Sequence, residues 1–369
     1  MARQAAIIVL VGLLPAAWLM ADEAADWQKM RRIIPRGYIC RPAVSGVTVD
    51  GRLGEKAWRT VPWSQAFLDI EGLVKPVPRF RTRMKMTWDS EYLYIGARME
   101  EPDVWGTLTK HDSVIFHDND FEVFIDPDGD NHEYYEFEIN ALNTGWDLFL
   151  PKPYKDGGKA DNGWEIPGLK TAVYVAGTLN DPADRDIFWS VEIAIPWRAL
   201  AEHANRPSPP EPGDQWRFNF SRVEWKHLVE EGRYQKVPKL REDNWVWSPQ
   251  GIIDMHRPER WGYVTFVGAG RNRGLFRRDL ERELRDALMT VYHRQRSFHR
   301  KHDRWAADLV ELGLDAVDFR GVDGEPQIRL SKEGYLATLE VRLRNGRQVS
   351  MEVRQDSRLT VVTPAGTGP

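Results

Sequence analysis

FHDNDFEVFIDPDGDNHEYYEFEIN, residues 116–140, holds two alternating runs joined by an acidic turn with a central glycine. Side chains alternate along a strand, so in Asp120–Asp126 the residues Phe121, Val123 and Ile125 share one face. Asp120, Glu122, Phe124 and Asp126 take the other. In Tyr134–Asn140 the apolar set is Tyr135, Phe137 and Ile139, opposed by Tyr134, Glu136, Glu138 and Asn140. Each run has one face for a core and one loaded with carboxylates and amides. An antiparallel pair brings these polar sets side by side. Adjacent carboxylates repel unless a cation, a metal ion or a sugar's hydroxyl groups offset them.

Working outward, the same alternation recurs at Arg81–Trp88, Tyr92–Ala97, Trp146–Leu150, Leu169–Val175, Phe188–Ile195, Trp216–Trp225 and Gly262–Phe266. Many short strands separated by Gly, Pro, Asn and Asp predict an all-β, antiparallel sandwich of immunoglobulin or jelly-roll type over residues 41–267. The character changes after Val267. Residues 268–274 read as a basic, glycine-containing linker. From Leu275 the apolar positions Phe276, Leu280, Leu284, Leu288, Phe298, Trp305, Leu309 and Leu312 follow helical spacing. Strand patterns return at Gln327–Leu330, Tyr335–Arg344 and Gln348–Arg354, with Asn345-Gly346 as a hairpin turn signal. Residues 275–360 are therefore expected to form a small α+β accessory domain of a long helix plus antiparallel strands.

The N-terminus has the pattern of an export signal over residues 1–21: Arg3, an apolar run from Ala5 to Leu19, and Ala21 at the cleavage position. An uncleaved anchor is the alternative. Residues 22–40 read as a polar leader. The expected location is periplasmic or extracellular, with no stable membrane insertion once the signal is removed. A net charge of -4 argues against a nucleic-acid partner. The single cysteine, Cys40, excludes an intrachain disulfide and a Cys-based zinc site. Of 16 tryptophans, all but Trp18, Trp27 and Trp305 lie between Trp58 and Trp261, which concentrates the aromatic surface in the expected sandwich.

Two loops join the polar face as candidate ligand contacts. One is Asn219–Trp225, with Arg222 and Glu224; the other runs from Glu242 through Trp245 and Trp247 to Met255 and His256. Asp126, Asp128 and Asp130 place alternate carboxylates on a tight turn, the kind of hard-oxygen set that suits calcium. The turn is not an EF-hand, because Phe137 stands where the twelfth-position glutamate would be.

The order Val49-Asp50-Gly51, Trp88-Asp89, Asn119–Asp126, Tyr135–Asn140, Trp189–Glu192, Ile195-Pro196-Trp197, Trp216–Asn219 and Trp261-Gly262 resembles the family 9 carbohydrate-binding modules, in their family 9-like branch. The resemblance covers about residues 38–267. It implies a sandwich that binds plant-type polysaccharide or oligosaccharide without catalysis, alongside glycoside hydrolases in carbohydrate catabolism. It also implies structural calcium; no cofactor is otherwise required. In the family two tryptophans sandwich a sugar ring. Here Phe116 stands at the first position and Met255 or His256 near the second, with Trp245 or Trp247 as alternative platforms. The expected ligand-binding set is Phe116, His117, Asn119, Asp120, Glu122, Glu136, Glu138, Asn140, Arg222, Glu224, Trp245, Trp247, Met255 and His256. Two alternatives stand beside this reading. One is a glycoside hydrolase, xylanase-like, using the sheet-face carboxylates. The other is a sandwich that has lost sugar binding and serves as an interaction module.

Overall fold

A computed structural model describes residues 22–269, 279, 281–343 and 346–362. The expected signal (1–21), most of the linker, and Leu275, Phe276, Leu280 and Asn345 lie outside the described residues. Along the chain the first strands are β1 (Gly37–Pro42), β2 (Leu68–Asp69), β3 (Thr82–Trp88), β4 (Tyr92–Glu100), β5 (Asp120–Asp126) and β6 (Tyr134–Asn140). Next come β7 (Gly145–Leu150), β8 (Lys170–Ala176), β9 (Phe188–Pro196), β10 (Gln215–Glu224), β11 (His227–Glu230) and β12 (Arg233–Lys236). The last are β13 (Asp243–Val246), β14 (Gly262–Phe266), β15 (Gln327–Leu330), β16 (Tyr335–Arg342), β17 (Gln348–Arg354) and β18 (Leu359–Val362). The helices are α1 (Glu23–Met30), the one-turn α2 (Lys56–Arg59) and α3 (Trp197–Leu200), and α4 (Arg282–His302). None of them is long and apolar enough to cross a membrane.

Strands β7-β6-β5-β10-β14-β1-β3-β4-β9-β8 form one curled sheet, with β13 and β2 added beside β10. The curl folds two halves over a shared core. Phe121, Val123 and Ile125 of β5 and Phe137 and Ile139 of β6 enter it from one half. Met84, Met86, Ile95, Val191 and Ile193 enter from the other. These are the apolar sets that alternation assigned inward, and burying them is the main force that closes the sheet.

The sheet is mixed rather than purely antiparallel. β1 pairs in parallel with β14 through Gly37–Cys40 and in parallel with β3 through Arg41–Pro42, so it is the splice between the two halves. Residues 22–40 are therefore not a leader. Before β1, α1 seats Trp27 against α4: its Nε1–H donates to Thr290 Oγ1 at 2.9 Å and its ring stacks on His293 at 4.8 Å. Asp22 caps α1 by accepting the Ala24 N–H at 3.1 Å.

Beyond the sandwich, α4 lays Leu284, Ala287, Leu288 and Val291 on Tyr335, Ala337, Leu339, Met351 and Val353 of an antiparallel sheet, β15-β16-β17-β18. The helix is shorter than its apolar spacing predicts. Asp303 adopts the left-handed region (φ 54°) and its N–H caps the His299 carbonyl, which ends the helix. Leu312 and the half-buried Trp305 and Leu309 still pack into the same core, from turns instead of from a helix.

This unit covers the acidic turn of the β5–β6 hairpin. The N–H of Leu359 donates to the Asp130 carbonyl at 2.9 Å, Asn131 Nδ2 to the Ser357 carbonyl at 2.9 Å, and Arg285 to the Gly129 carbonyl at 2.8 Å. A turn that alternation alone would leave in solvent is thus the joint between the two units.

Candidate functional site

The outer face of β5, β6 and β7 is the floor of a cavity of about 280 Å³. Cross-strand register sets Glu122 opposite Glu138 and Phe124 opposite Glu136. The next ladder sets Glu138 opposite Trp146 and Glu136 opposite Leu148. One wall comes from Phe116 and Tyr154. The other comes from residues 241–256, which include β13, with Arg241, Glu242, Asn244, Asp254, Met255 and His256. Of the expected contacts, Phe116, Glu122, Glu136, Glu138, Met255 and His256 are thus brought together.

Hydrogen bonds fix the walls. Glu138 Oε2 accepts the Phe116 backbone N–H at 2.9 Å, and the Phe116 carbonyl accepts Trp225 Nε1–H at 2.8 Å. Asp254 accepts the His256 N–H at 3.0 Å and Arg257 Nε–H at 2.7 Å, which shapes the opposite loop. His256 sits with Nδ1 2.9 Å from the Tyr134 hydroxyl and its ring edge-on to Tyr154 at 4.4 Å.

The floor is buried and acidic. Glu122, Glu136 and Glu138 are 6%, 4% and 2% exposed. Burial, only partly offset by a hydrogen bond from Ser221 and reinforced by Glu242, pushes Glu122 up to about 7. Burial and then the Glu122 charge push Glu136 and Glu138 well above the usual carboxylate range. Burial holds His256 neutral, down to about 4 despite Asp254. Glu136 and Trp146 line the cavity, and Glu136 Oε2 and Trp146 Nε1 are buried without a hydrogen-bond partner.

The remaining expected contacts go elsewhere. Arg222 and Glu224 fall on the inward parity of β10. Arg222 donates to Glu101 at 2.6 Å and Glu224 at 2.7 Å inside the sandwich. Trp245 and Trp247 belong to the main core, packing on Phe80 and Phe220, and offer no platform to a ligand. Asn140 spends its amide on the Leu108 carbonyl and Asp118, and its oxygen on the N–H groups of Leu142 and Thr144. Asn119 and Asp120 accept the backbone N–H groups of Trp225 and Val223, fastening the end of β10 to the start of β5. His117 faces solvent outside the cavity.

Trp146 and Tyr154 were not singled out from the sequence. Trp146 was readable: extending the ladder from Glu138 across the Ala141–Thr144 turn puts it on the polar face. Tyr154 lies in a single 3-10 turn (Tyr154–Asp156) that no periodicity marks.

In the β5–β6 turn, one oxygen each of Asp126, Asp128 and Asp130 lies within 4.8 Å of the others. Gly129 makes the turn with φ 70°. Burial, then the charges of Asp128 and Asp130, push Asp126 well up. Asp126 also accepts N–H groups of Gly129 and Asn131, and Asp130 accepts Arg358 Nε–H at 2.7 Å. The oxygen set is chemically suited to calcium, with Arg358 supplying part of the charge balance.

Residues 49–208 match the family model described as "Carbohydrate family 9 binding domain-like". This stretch is similar to the family 9-like carbohydrate-binding domains. Among solved structures, similarity extends to a Bacteroides uniformis protein provisionally described as carbohydrate-binding (TM-score 0.47, 17% identity, 63% of this chain and 100% of that one). It extends also to a family 9 module of Caldicellulosiruptor kristjanssonii, solved with cellotriose (TM-score 0.41, 14% identity, 66% of this chain and 100% of that one). No curated protein matches the chain. The family 9-like match contains the cavity floor, Phe116 and Tyr154, and ends before the 241–256 wall.

Proposed function

We propose that the protein is an exported, non-catalytic carbohydrate-binding protein whose ligand site is the cavity over β5–β7. The observation that carries this reading is the convergence of three aromatic rings on a floor of buried carboxyl groups. Phe116, Trp146 and Tyr154 offer apolar faces to a sugar ring, while Glu136 Oε2 and Trp146 Nε1 await polar partners. Glu122, Glu138 and Asn244 supply further hydrogen bonds to hydroxyl groups.

Binding suits the carboxylates better than catalysis. An oxygen of Glu122 and one of Glu138 lie within 4.8 Å, side by side on one floor. Glycosidase pairs flank the bond from two sides, about 5–5.5 Å or 6.5–9.5 Å apart. Export rests on the pattern of residues 1–21, and a role beside glycoside hydrolases on the family 9-like domain. Calcium held by Asp126, Asp128 and Asp130 would brace the joint with the C-terminal unit.

Calorimetric titration of the full chain against an oligosaccharide panel tests the reading. A saccharide that binds wild type should bind Trp146→Ala about tenfold more weakly, the loss of one stacking aromatic. Absence of heat with every saccharide removes the proposal.

A further inference from the structure

The floor of the proposed saccharide site gathers carboxyl groups with no cation among the described residues in contact to offset their ionised forms. One oxygen each of Asp120, Glu122 and Glu138 lies within 4.8 Å of the others, Asp120 from outside the cavity lining, and Glu136 lines the cavity with one oxygen that has no hydrogen-bond partner. Glu242 and Asp254 add acids from the facing wall, and Asp254 is paired with Arg257.

Of the cations near this floor, Arg217 and Arg222 point away from it, and Arg241 stands on the cavity wall. Arg217 of β10 donates to the Trp261 carbonyl at 2.8 Å and covers the Tyr263 ring. Arg222 is committed to Glu101 and Glu224 in the interior. His256, 4.0 Å from Glu136, is kept neutral by its burial. Arg241 is exposed at the rim and lies 3.7 Å from Glu242. Ser221 and Tyr154, the other polar groups facing the floor, carry no charge at neutral pH.

Building on the saccharide reading, we propose that the cavity selects a cationic sugar, a hexosamine residue bearing a free, protonated amine. An ammonium group offers three donors to the glutamates and brings the missing positive charge. Hydroxyl groups of a neutral sugar can bond the same oxygens but leave the carboxyls protonated. An N-acetyl group removes the charge, and a uronic acid adds one of the wrong sign. The rings of Phe116, Trp146 and Tyr154 attract a cation with their faces while stacking the sugar.

The mechanism has a signature beyond affinity. Burial pushes Glu122 up to about 7 and holds Glu136 and Glu138 well above the usual carboxylate range, so the floor favours protonated carboxyls near neutral pH. A bound ammonium favours the ionised carboxylates, so binding releases protons. The measured enthalpy should then change with the ionisation heat of the buffer.

The test is calorimetry of the full chain with four tetramers: glucosamine, N-acetylglucosamine, glucose and galacturonic acid, each in two buffers at pH 7. Glucosamine tetramer is expected to bind about tenfold tighter than the glucose or N-acetylglucosamine tetramer, through charge-assisted bonds, and alone to release protons. Neutral tetramers that bind as tightly, with no proton release from the amine, overturn this inference and leave the saccharide reading standing. Silence from all four removes both. Displacement of bound glucosamine tetramer by calcium or magnesium alone would assign the acids to a metal ion and overturn the inference.

Discussion

Arg222→Met separates a structural role for this arginine from a role in ligand binding. Arg222 and Glu224 are fully buried and Glu101 is 2% exposed. The guanidinium also donates to the Glu100 carbonyl at 2.8 Å, tying β10 to the end of β4. Methionine keeps much of the volume but leaves Glu101 without its cation, while Arg79 still reaches Glu224 at 3.1 Å. Breaking one side of a buried ion pair costs about 3–5 kcal/mol. For a domain of roughly 200 residues that is about a 10 °C fall in Tm. The defect also has a pH sign. Burial and Glu224 already raise Glu101 well above the usual carboxylate range, and Arg222 opposes that rise. Without Arg222 the native state holds a proton that the unfolded chain releases, so the penalty grows as pH rises above the unfolded carboxylate value. Thermal melts at pH 5 and pH 8 should show the larger defect at pH 8. A variant of wild-type stability that has lost saccharide binding would refute the reasoning and return Arg222 to the ligand site.

Glu122→Gln should flatten the pH dependence of stability. With its carboxyl raised to about 7, wild type loses up to about 3 kcal/mol between pH 4.5 and 7 from this group, and nothing further above it. Melts across that window should show the variant overtaking wild type at high pH; parallel curves would contradict the burial argument. Trp27→Ala should unseat α1 from α4 and cost about 3–5 kcal/mol by urea titration, a loss expected of a buried aromatic and not of a leader. Calcium at about a hundredfold excess over its Kd should stabilise the chain by about 2.7 kcal/mol. Asp128→Asn should weaken that response, and a melt indifferent to calcium and chelator would remove the ion from the β5–β6 turn.

Alternation made the sandwich legible because its strands have one apolar face each. The expected Asp120–Asp126 strand is β5 itself, and Trp216–Trp225 differs from β10 by one residue at each end. The same parity warned against Arg222 and Glu224, which sit in step with Phe218 and Phe220. Their charge drew them toward the site, and their partners, 121 residues away for Arg222 and Glu101, are invisible locally. Trp245 pairs with Arg222 in the ladder and so shares its inward side. The N-terminal segment failed for a related reason. Eight residues of α1 carry a weak apolar pattern, and what holds them is α4, far along the chain. The cavity floor was readable because it is regular structure. Its rim was readable only where a residue such as His256 followed a dense polar stretch, and Tyr154, on an irregular loop, gave no such signal.

A crystal structure of the full chain soaked with the tightest-binding oligosaccharide addresses the site most directly. The account predicts a sugar ring lying against Trp146 between Phe116 and Tyr154, with a polar atom within hydrogen-bond reach of Glu136 Oε2. A sugar bound elsewhere on the sandwich, with this cavity holding only water, would contradict it.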